Sequence, residues 1–142
     1  YYGNYAMYYE VARVEALKQI GFSYVELEKA GIMMPVHENY SKYHSPAKYD
    51  QLLTIQVTIP EMPKVRMRFN YEIRNEQNEL INEGMTSLVF VNMESNKLTK
   101  APRELIQALE PYFSRRLSWG KTKLAFMMPS SSLFEKCLMM KF

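Results

Sequence analysis

Residues 1–22 of this 142-residue chain, YYGNYAMYYEVARVEALKQIGF, contain a helix start signal, a long apolar helix pattern and a helix stop signal. Asn4 is a favoured N-cap residue, and Gly21 suits the left-handed position that follows a helix. Apolar residues recur at helical spacing between these two signals. The main apolar stripe consists of Tyr5, Tyr8, Tyr9, Ala12, Ala16 and Ile20. The pattern therefore predicts a helix from Tyr5 to Ile20 that is wrapped by other parts of the chain.

From about residue 32 the apolar residues alternate with polar ones, which is typical of half-buried antiparallel strands. Leu53–Ile59 and Val65–Ile73 alternate strictly. A third predicted strand, Leu80–Met93, becomes apolar on both faces at Leu88–Val91, and a less regular strand is predicted over Ile32–Tyr43. One long apolar helix with a run of antiparallel strands predicts an α+β fold in which a sheet wraps the helix.

Two shorter helices have recognisable start signals. Ser23-Tyr24-Val25-Glu26 is a capping box, which predicts a short helix to about Ala30 with Gly31 as its stop. Pro102 is suited to the first position of a helix, which predicts another one over Arg103–Leu109.

The charge is unevenly distributed between the body of the chain and its tail. Residues 1–113 contain 12 basic and 14 acidic side chains, whereas residues 114–142 contain six basic side chains and only Glu135 as an acid. The mildly acidic body argues against nucleic acid as a partner, because phosphate binding needs clustered cations. For the tail the sequence leaves four alternatives: a partly ordered extension, an added strand, a membrane-surface segment, which the lack of a clean helical stripe disfavours, or non-native sequence.

Cysteine content and length place further bounds on the protein. Cys137 is the only cysteine, so an intramolecular disulfide is excluded and a reducing, cytoplasmic location is expected. The length fits one domain, and neither a signal-peptide pattern nor an apolar run of membrane-spanning length is present. Because the chain begins with Tyr1 rather than Met, we expect that residues precede it in the natural protein.

Four segments together resemble a known family in their order and spacing. The family is that of the hotdog-fold acyl-CoA thioesterases, in the branch that includes 4-hydroxybenzoyl-CoA thioesterase and the YbgC-like enzymes. The resemblance covers residues 1–113, which we take as the thioesterase domain, and residues 114–142 form an extension outside the family pattern. It implies a hotdog fold, assembly into a homodimer or tetramer, and acyl-CoA as the substrate. The segments are Tyr1–Phe22, Ser45–Leu52, Glu83–Thr86 and Lys100–Pro102.

The resemblance also implies where the catalytic groups lie. The backbone N–H of Tyr2, with Gly3 beside it, would hold the thioester oxygen at the start of the first helix. An Asp expected upstream of Tyr1, together with the first strand of the fold, would lie outside this chain. That Asp would act as nucleophile or general base, and Glu10 is a reserve candidate because another hotdog branch uses a helix Glu. The sequence itself favours a helix-stabilising ion pair between Glu10 and Arg13.

Three other groups of residues are candidates for binding or catalysis. Arg66, Arg68 and Arg74 share one face of a predicted strand, either as a solvated face or as contacts for the coenzyme A phosphates. His37 and His44 have no Cys, Asp or Glu at metal-ligand spacing, so we expect no metal. A nucleophile elbow is absent around Ser130–Ser132, and the chain has no P-loop and no GxGxxG motif.

The sequence therefore predicts an acyl-CoA thioesterase that needs no cofactor, since coenzyme A is part of its substrate. Two alternatives stay open. One is a non-catalytic hotdog protein that binds acyl-CoA or acyl carrier protein, and the other is a hotdog dehydratase, for which no acid–base pair is evident.

Overall fold

A computed structural model of the protein describes residues 4–45, 52–114 and 122–129. The chain contains three helices and seven strands within these ranges, so the predicted α+β class is confirmed. In chain order the elements are α1 (Asn4–Gln19), α2 (Tyr24–Lys29), β1 (Ile32–Met33), β2 (Val36–Tyr43), β3 (Leu52–Ile59), β4 (Arg66–Arg74), β5 (Leu80–Val89), β6 (Val91–Asn92), α3 (Arg103–Ser114) and β7 (Thr122–Pro129).

The main sheet has five antiparallel strands in the order β2-β5-β4-β3-β7, and β1 and β6 form a separate pair. Alternation gives the sheet an apolar inner face and a polar outer face. On β4, for example, Met67, Phe69, Tyr71 and Ile73 are all buried. Helix α1 packs on this inner face, with the ring of Tyr9 stacked on that of Tyr71. The hotdog arrangement implied by the resemblance is confirmed.

Helix α1 ends at Gln19, one residue before the predicted end at Ile20, and the predicted stop signal Gly21 follows it. Gly21 has φ +84°; its N–H donates to the Lys18 carbonyl at 3.0 Å, and that of Phe22 donates to the Leu17 carbonyl at 2.9 Å. These two bonds form a Schellman motif, which satisfies carbonyls that a helix end leaves free. The helix already includes Asn4. Our prediction of Asn4 as the N-cap is therefore wrong.

Helix α2 has the predicted capping geometry. The Ser23 hydroxyl accepts a hydrogen bond from the Glu26 N–H at 3.4 Å, and Gly31 follows the helix with φ +78°. This φ lies in the left-handed region that favours glycine. Local sequence alone therefore accounts for this short element.

Two predicted strands are each divided in the structure. Ile32–Tyr43 is interrupted between β1 and β2, and Leu80–Met93 is interrupted at Phe90. The cause is tertiary pairing: the Phe90 N–H donates to the Val65 carbonyl at 3.2 Å, and the chain then leaves the main sheet to pair β6 with β1. Our predictions of single continuous strands are wrong at these two points.

Helix α3 begins after Pro102 and is longer than predicted. The Pro102 carbonyl accepts from the N–H groups of Leu105 and Ile106 at 3.1 and 3.2 Å, so Pro102 precedes the first helical position. The helix continues past the predicted end at Leu109 and contains Pro111 in its C-terminal part. A proline there removes one N–H donor without ending the helix.

Part of the basic tail joins the main sheet. Strand β7 pairs with β3 in unbroken antiparallel register, from Leu52 opposite Pro129 to Ile59 opposite Thr122. Among the four alternatives for the tail, the added strand is therefore the one observed for residues 122–129. The rest of residues 115–142 lies outside the described part, and the domain boundary at residue 113 stays a prediction. Within the described ranges, no helix is long and apolar enough to span a membrane.

Gly84 on β5 lets helix α1 approach the sheet closely. A Cβ atom at this position would overlap the hydroxyl of Tyr9 and lie 2.7 Å from the carbonyl oxygen of Tyr40. Real Cβ atoms do not approach so closely, and both neighbours are held, one in the core and one in the backbone of β2. The absence of a side chain at residue 84 thus sets the distance between α1 and the sheet.

We predict that Gly84→Ala lowers the free energy of unfolding by about 1–3 kcal/mol, the usual cost of overpacking a core. Urea denaturation measures this change. Because part of the overlap is with the Tyr9 hydroxyl, the same substitution made in a Tyr9→Phe background should cost less. An equal cost in both backgrounds would show that the hydroxyl is not what excludes a side chain from residue 84.

Candidate active site

The start of α1 is the first part of the candidate active site. A helix start presents backbone N–H groups without intrahelical partners and carries partial positive charge. The ring of Tyr5 contacts the rings of Tyr8 and Tyr43, each at a centroid distance of 5.5 Å. Tyr43, at the end of β2, is 46% exposed. Aromatic side chains from α1 and β2 therefore surround the helix start. The predicted oxyanion residues, Tyr2 and Gly3, lie outside the described residues.

One turn further along α1, Tyr9 forms a buried polar cluster with the sheet. Its hydroxyl donates to the Asn82 side-chain oxygen and is 2.9 Å from the Ser41 hydroxyl. The Asn82 amide nitrogen donates to Ser41 Oγ at 2.9 Å and to the Lys42 carbonyl at 3.2 Å. Tyr9 and Asn82 are fully buried. Because buried polar groups are costly unless they are bonded, this cluster fixes α1 against β2 and β5.

The phenols of Tyr9 and Tyr71 remain neutral at physiological pH. Their rings stack with centroids 4.2 Å apart and an interplanar angle of 4°. Burial raises the pKa of each phenol to about 12, partly opposed by hydrogen bonds from Ser41 for Tyr9 and by the Arg13 charge for Tyr71. Both phenols therefore act as hydrogen-bonding groups rather than as anions.

Arg13 is the second buried polar side chain of α1. Only 8% of it is exposed, and its Nη1 donates to the hydroxyls of Tyr71 at 3.1 Å and Thr86 at 3.3 Å. The Thr86 hydroxyl in turn donates to the Asn39 side-chain oxygen on β2 at 2.8 Å. Burial lowers the pKa of Arg13, but the phenol oxygens of Tyr71 and Tyr24 raise it by more, so the net direction is upward. Arg13 thus links α1 to three strands and stays charged.

The predicted ion pair between Glu10 and Arg13 is wrong. Helical spacing brings two side chains near each other, but the Arg13 guanidinium turns towards the hydroxyls of the sheet instead. Among the described residues, no salt bridge includes Glu10. Glu10 is half-buried on α1. Its role as the reserve catalytic carboxylate stays a prediction.

The three arginines of β4 share its outer face, as predicted, but do not form one cluster. Arg66 and Arg68 are exposed. Arg74 follows Arg68 by six residues, which is about 20 Å along a strand, and it contacts the Glu72 carboxylate at 3.7 Å and the Asn78 carbonyl at 3.2 Å. Only Arg66 and Arg68 could therefore contact the same phosphate group.

Both histidines lie near carboxylates in the structure. His44 is 3.6 Å from Glu83, and His37 is 3.8 Å from Glu38. These carboxylates come from a neighbouring strand in one case and from the adjacent residue in the other. Within the described ranges, no three His, Cys, Asp or Glu side chains are arranged to bind a metal ion.

A cleft of about 500 Å³ lies at the opposite end of α1 from the helix start. The 16-residue helix separates the two by about 24 Å, so this cleft is distinct from the candidate active site. Its walls come from the end of α1, from α2 and from α3. The lining residues are Gly21, Phe22, Glu26, Leu27, Lys29, Ala30, Pro102, Glu104 and Ala108.

The hydrogen-bonded clusters of Tyr9 and Arg13 were not predicted, although the sequence contains one signal for them. On β5, the positions facing α1 are Asn82, Gly84 and Thr86, opposite Ile73, Tyr71 and Phe69 of β4. Polar or small residues at three successive inward positions of an otherwise apolar strand indicate buried hydrogen bonds or a close backbone approach.

Comparisons with known proteins agree on one family. Residues 1–109 match the family model of the thioesterase-like superfamily. Over 106 residues the chain is 30% identical to the acyl-CoA thioester hydrolase YbgC of Escherichia coli O6:H1. This alignment covers 75% of this chain and 79% of YbgC.

Solved structures give the same result. A DHNA-CoA thioesterase from Staphylococcus aureus superposes with a TM-score of 0.70 at 30% identity, over 84% of this chain and 85% of that one. Another Staphylococcus aureus protein, solved in complex with CoA, has a TM-score of 0.74 over 84% of this chain and 77% of that one. Its identity is 15%, so this second likeness shows the fold alone.

We predict that the protein loses stability between pH 10 and about pH 12. The folded-state pKa of Tyr71 is raised from 10.0 to about 12, so the unfolded chain releases its proton first as pH rises. The resulting stabilisation is complete below pH 10 and is lost as pH rises through the folded pKa. Urea midpoints across this range measure the loss, which should reach up to about 3 kcal/mol for Tyr71. Tyr71→Phe should flatten the profile, and a profile as steep as that of the unchanged protein would contradict the assignment.

Proposed function

Because the chain belongs to the thioesterase-like superfamily, we propose that it is an acyl-CoA thioesterase, which hydrolyses an acyl-CoA thioester to the free acid and coenzyme A. The family match, together with the similarity to YbgC, carries this proposal. The relatives are named as hydrolases, so the alternative of a non-catalytic acyl-CoA-binding protein has less support. Acyl carrier protein is a second candidate carrier of the acyl group.

The proposed chemistry uses the start of α1 to polarise the thioester carbonyl. Backbone N–H groups at Tyr2 and Gly3 would stabilise the oxyanion, and glycine lets the substrate oxygen approach the main chain. The tyrosine rings described above, from α1 and the end of β2, support an apolar wall beside this position. In one route a carboxylate takes a proton from water, which attacks the carbonyl carbon and expels the thiolate of coenzyme A. In the other route the carboxylate itself attacks and expels the thiolate, and water then hydrolyses the resulting mixed anhydride to the free acid.

Two groups of side chains are proposed for supporting roles. Glu10 lies six residues after the first residue of α1, or about 9 Å along the helix axis, and it remains the reserve candidate for the carboxylate. Arg66 and Arg68 are proposed contacts for the phosphates of coenzyme A, since exposed guanidinium groups bind phosphate well. Arg74 is a weaker candidate because Glu72 and Asn78 already engage it.

We further propose that the protein works as a homodimer, or as a tetramer built from dimers, in the cytoplasm and without a cofactor. Strand β2 is an edge of the main sheet, and its Val36, Tyr40 and Tyr43 are 49%, 55% and 46% exposed. An open strand edge that carries large apolar side chains favours pairing with another chain. A single cysteine fits a reducing compartment.

The proposal is tested by the release of free coenzyme A thiol from a panel of acyl-CoAs with short, long and aromatic acyl groups. At least one of them should be hydrolysed well above the rate without protein, and Gly3→Val should lower that turnover by about 100-fold or more, the usual effect of losing an oxyanion donor. Circular dichroism and gel filtration check that this variant is folded. If a folded Gly3→Val protein kept full activity, the proposed oxyanion site would be wrong. If the protein bound acyl-CoA but hydrolysed no member of the panel, the proposed thioesterase activity would be wrong.

A matched pair of variants then tests Glu10. Glu10 and Glu15 are both half-buried on α1, and Glu15 contacts Lys18 at 3.8 Å. If Glu10 supplies the carboxylate, Glu10→Gln loses turnover and Glu15→Gln does not, when both are assayed at a concentration at which they are dimers. Equal turnover in both variants would remove Glu10 from the mechanism.

A further inference from the structure

The guanidinium of Arg13 is a buried positive charge without a negative partner among the described residues. Its Nη1 bonds only to hydroxyl groups, and its Nε is buried with no hydrogen-bond partner. Arginine keeps its charge at any ordinary pH. A buried cation of this kind is unfavourable unless an anion lies close to it. Some negative group outside the described protomer is therefore needed to complete this site.

The position of Arg13 indicates the direction from which that group comes. The Thr86 hydroxyl joins Arg13 to Asn39, and Asn39 is an exposed residue of the edge strand β2. The buried charge is thus one side chain away from the open edge of the sheet. A second copy of the chain, paired along β2, would cover this edge and bring its own helix α1 beside the first.

Helix α1 carries a half-buried carboxylate of its own in the adjacent turn. Glu10 precedes Arg13 by three residues, so the two project from neighbouring parts of the helix surface. Met7, Glu10 and Val14 form a half-buried stripe at helical spacing beside Arg13. Such a stripe is partly apolar and carries one charge, which suits contact with another helix at a subunit interface.

We propose that Glu10 of a second copy of this chain is the counter-charge of Arg13. In a two-fold symmetric dimer, if residue 10 of one subunit meets residue 13 of the other, the reverse contact forms as well. Each dimer therefore contains two such ion pairs, which neutralise both buried guanidinium groups. This inference rests on the homodimer of the proposed function, but it does not depend on the hydrolysis of acyl-CoA.

Two charge-reversal variants distinguish pairing between subunits from pairing within one. Glu10→Arg gives a chain with arginine at positions 10 and 13, and Arg13→Glu gives a chain with glutamate at both. Each variant alone should dissociate to monomers, because like charges then meet across the interface. An equimolar mixture should form the mixed dimer, since every contact across the interface is again between opposite charges. Pairing within a subunit predicts no such preference, and folded variants that fail to form a mixed dimer overturn the proposal.

A milder pair of variants keeps the test decisive if a buried charge reversal prevents folding. Glu10→Gln should raise the dimer dissociation constant by about 1,000-fold or more, because the dimer loses two buried charge contacts at once, while the matched control Glu15→Gln leaves it unchanged. Sedimentation velocity over a dilution series measures both constants. Equal dissociation constants in the two variants, or a monomeric unchanged protein at micromolar concentration, overturn the proposal. The coenzyme A release assay is scored separately, so failure of the dimer contact and failure of the thioesterase proposal give different results.

Discussion

Helix α1 buries two polar side chains against the sheet, and both must form hydrogen bonds there. This constraint fixes the position of the helix, and the remaining features of the structure follow from it. Tyr9 is fully buried and Arg13 nearly so, and an unsatisfied hydroxyl or guanidinium there would cost several kcal/mol. The sheet meets this need at the Tyr9 hydroxyl and at Nη1 of Arg13, with Asn82, Thr86 and Tyr71. Because these partners are fixed on two strands, the helix can satisfy them in only one rotation about its axis and at one distance from the sheet. Apolar packing is not directional, so it would not fix the rotation by itself.

The same constraint connects the core to the proposed active site. Gly84 lets α1 lie close to β5, because no side chain separates Tyr9 from the strand. As a result, the start of the helix lies beside the end of β2, where the ring of Tyr5 contacts the ring of Tyr43. An oxyanion-binding site made of backbone N–H groups has no side chain that can adjust. The position of its donors therefore depends on how firmly the helix itself is held. In this fold, buried hydrogen bonds one and two turns into the helix provide that support.

Features governed by local sequence could be predicted, and features governed by distant partners could not. Gly21 and the Ser23 cap give the helix ends, because they act within a few residues. The strict alternation of β4 gives its buried face. In contrast, the interruption at Phe90 arises from pairing with distant segments, and no local signal marks it.

The candidate site shows the same division between local and distant effects. Helical spacing suggested that Arg13 pairs with Glu10, whereas hydroxyls 58 and 73 residues away engage it instead. The strand pattern placed Arg66, Arg68 and Arg74 on one face correctly, but the separation along β4 prevents them from acting together. The family resemblance supplied the roles of Tyr2 and Gly3, and both residues lie outside the described part of the chain.

Buried hydrogen bonds from Arg13 and Tyr9 hold α1 on the sheet. A double-mutant cycle on Arg13→Met and Tyr71→Phe, scored by urea unfolding, measures one of these bonds most directly, since Tyr71→Phe keeps the ring that stacks on Tyr9. We predict a coupling free energy of about 1–3 kcal/mol, as expected for a buried hydrogen bond from a charged donor. If the two substitutions had additive effects, with a coupling free energy near zero, the hydrogen bond between Arg13 and Tyr71 would not hold α1 on the sheet.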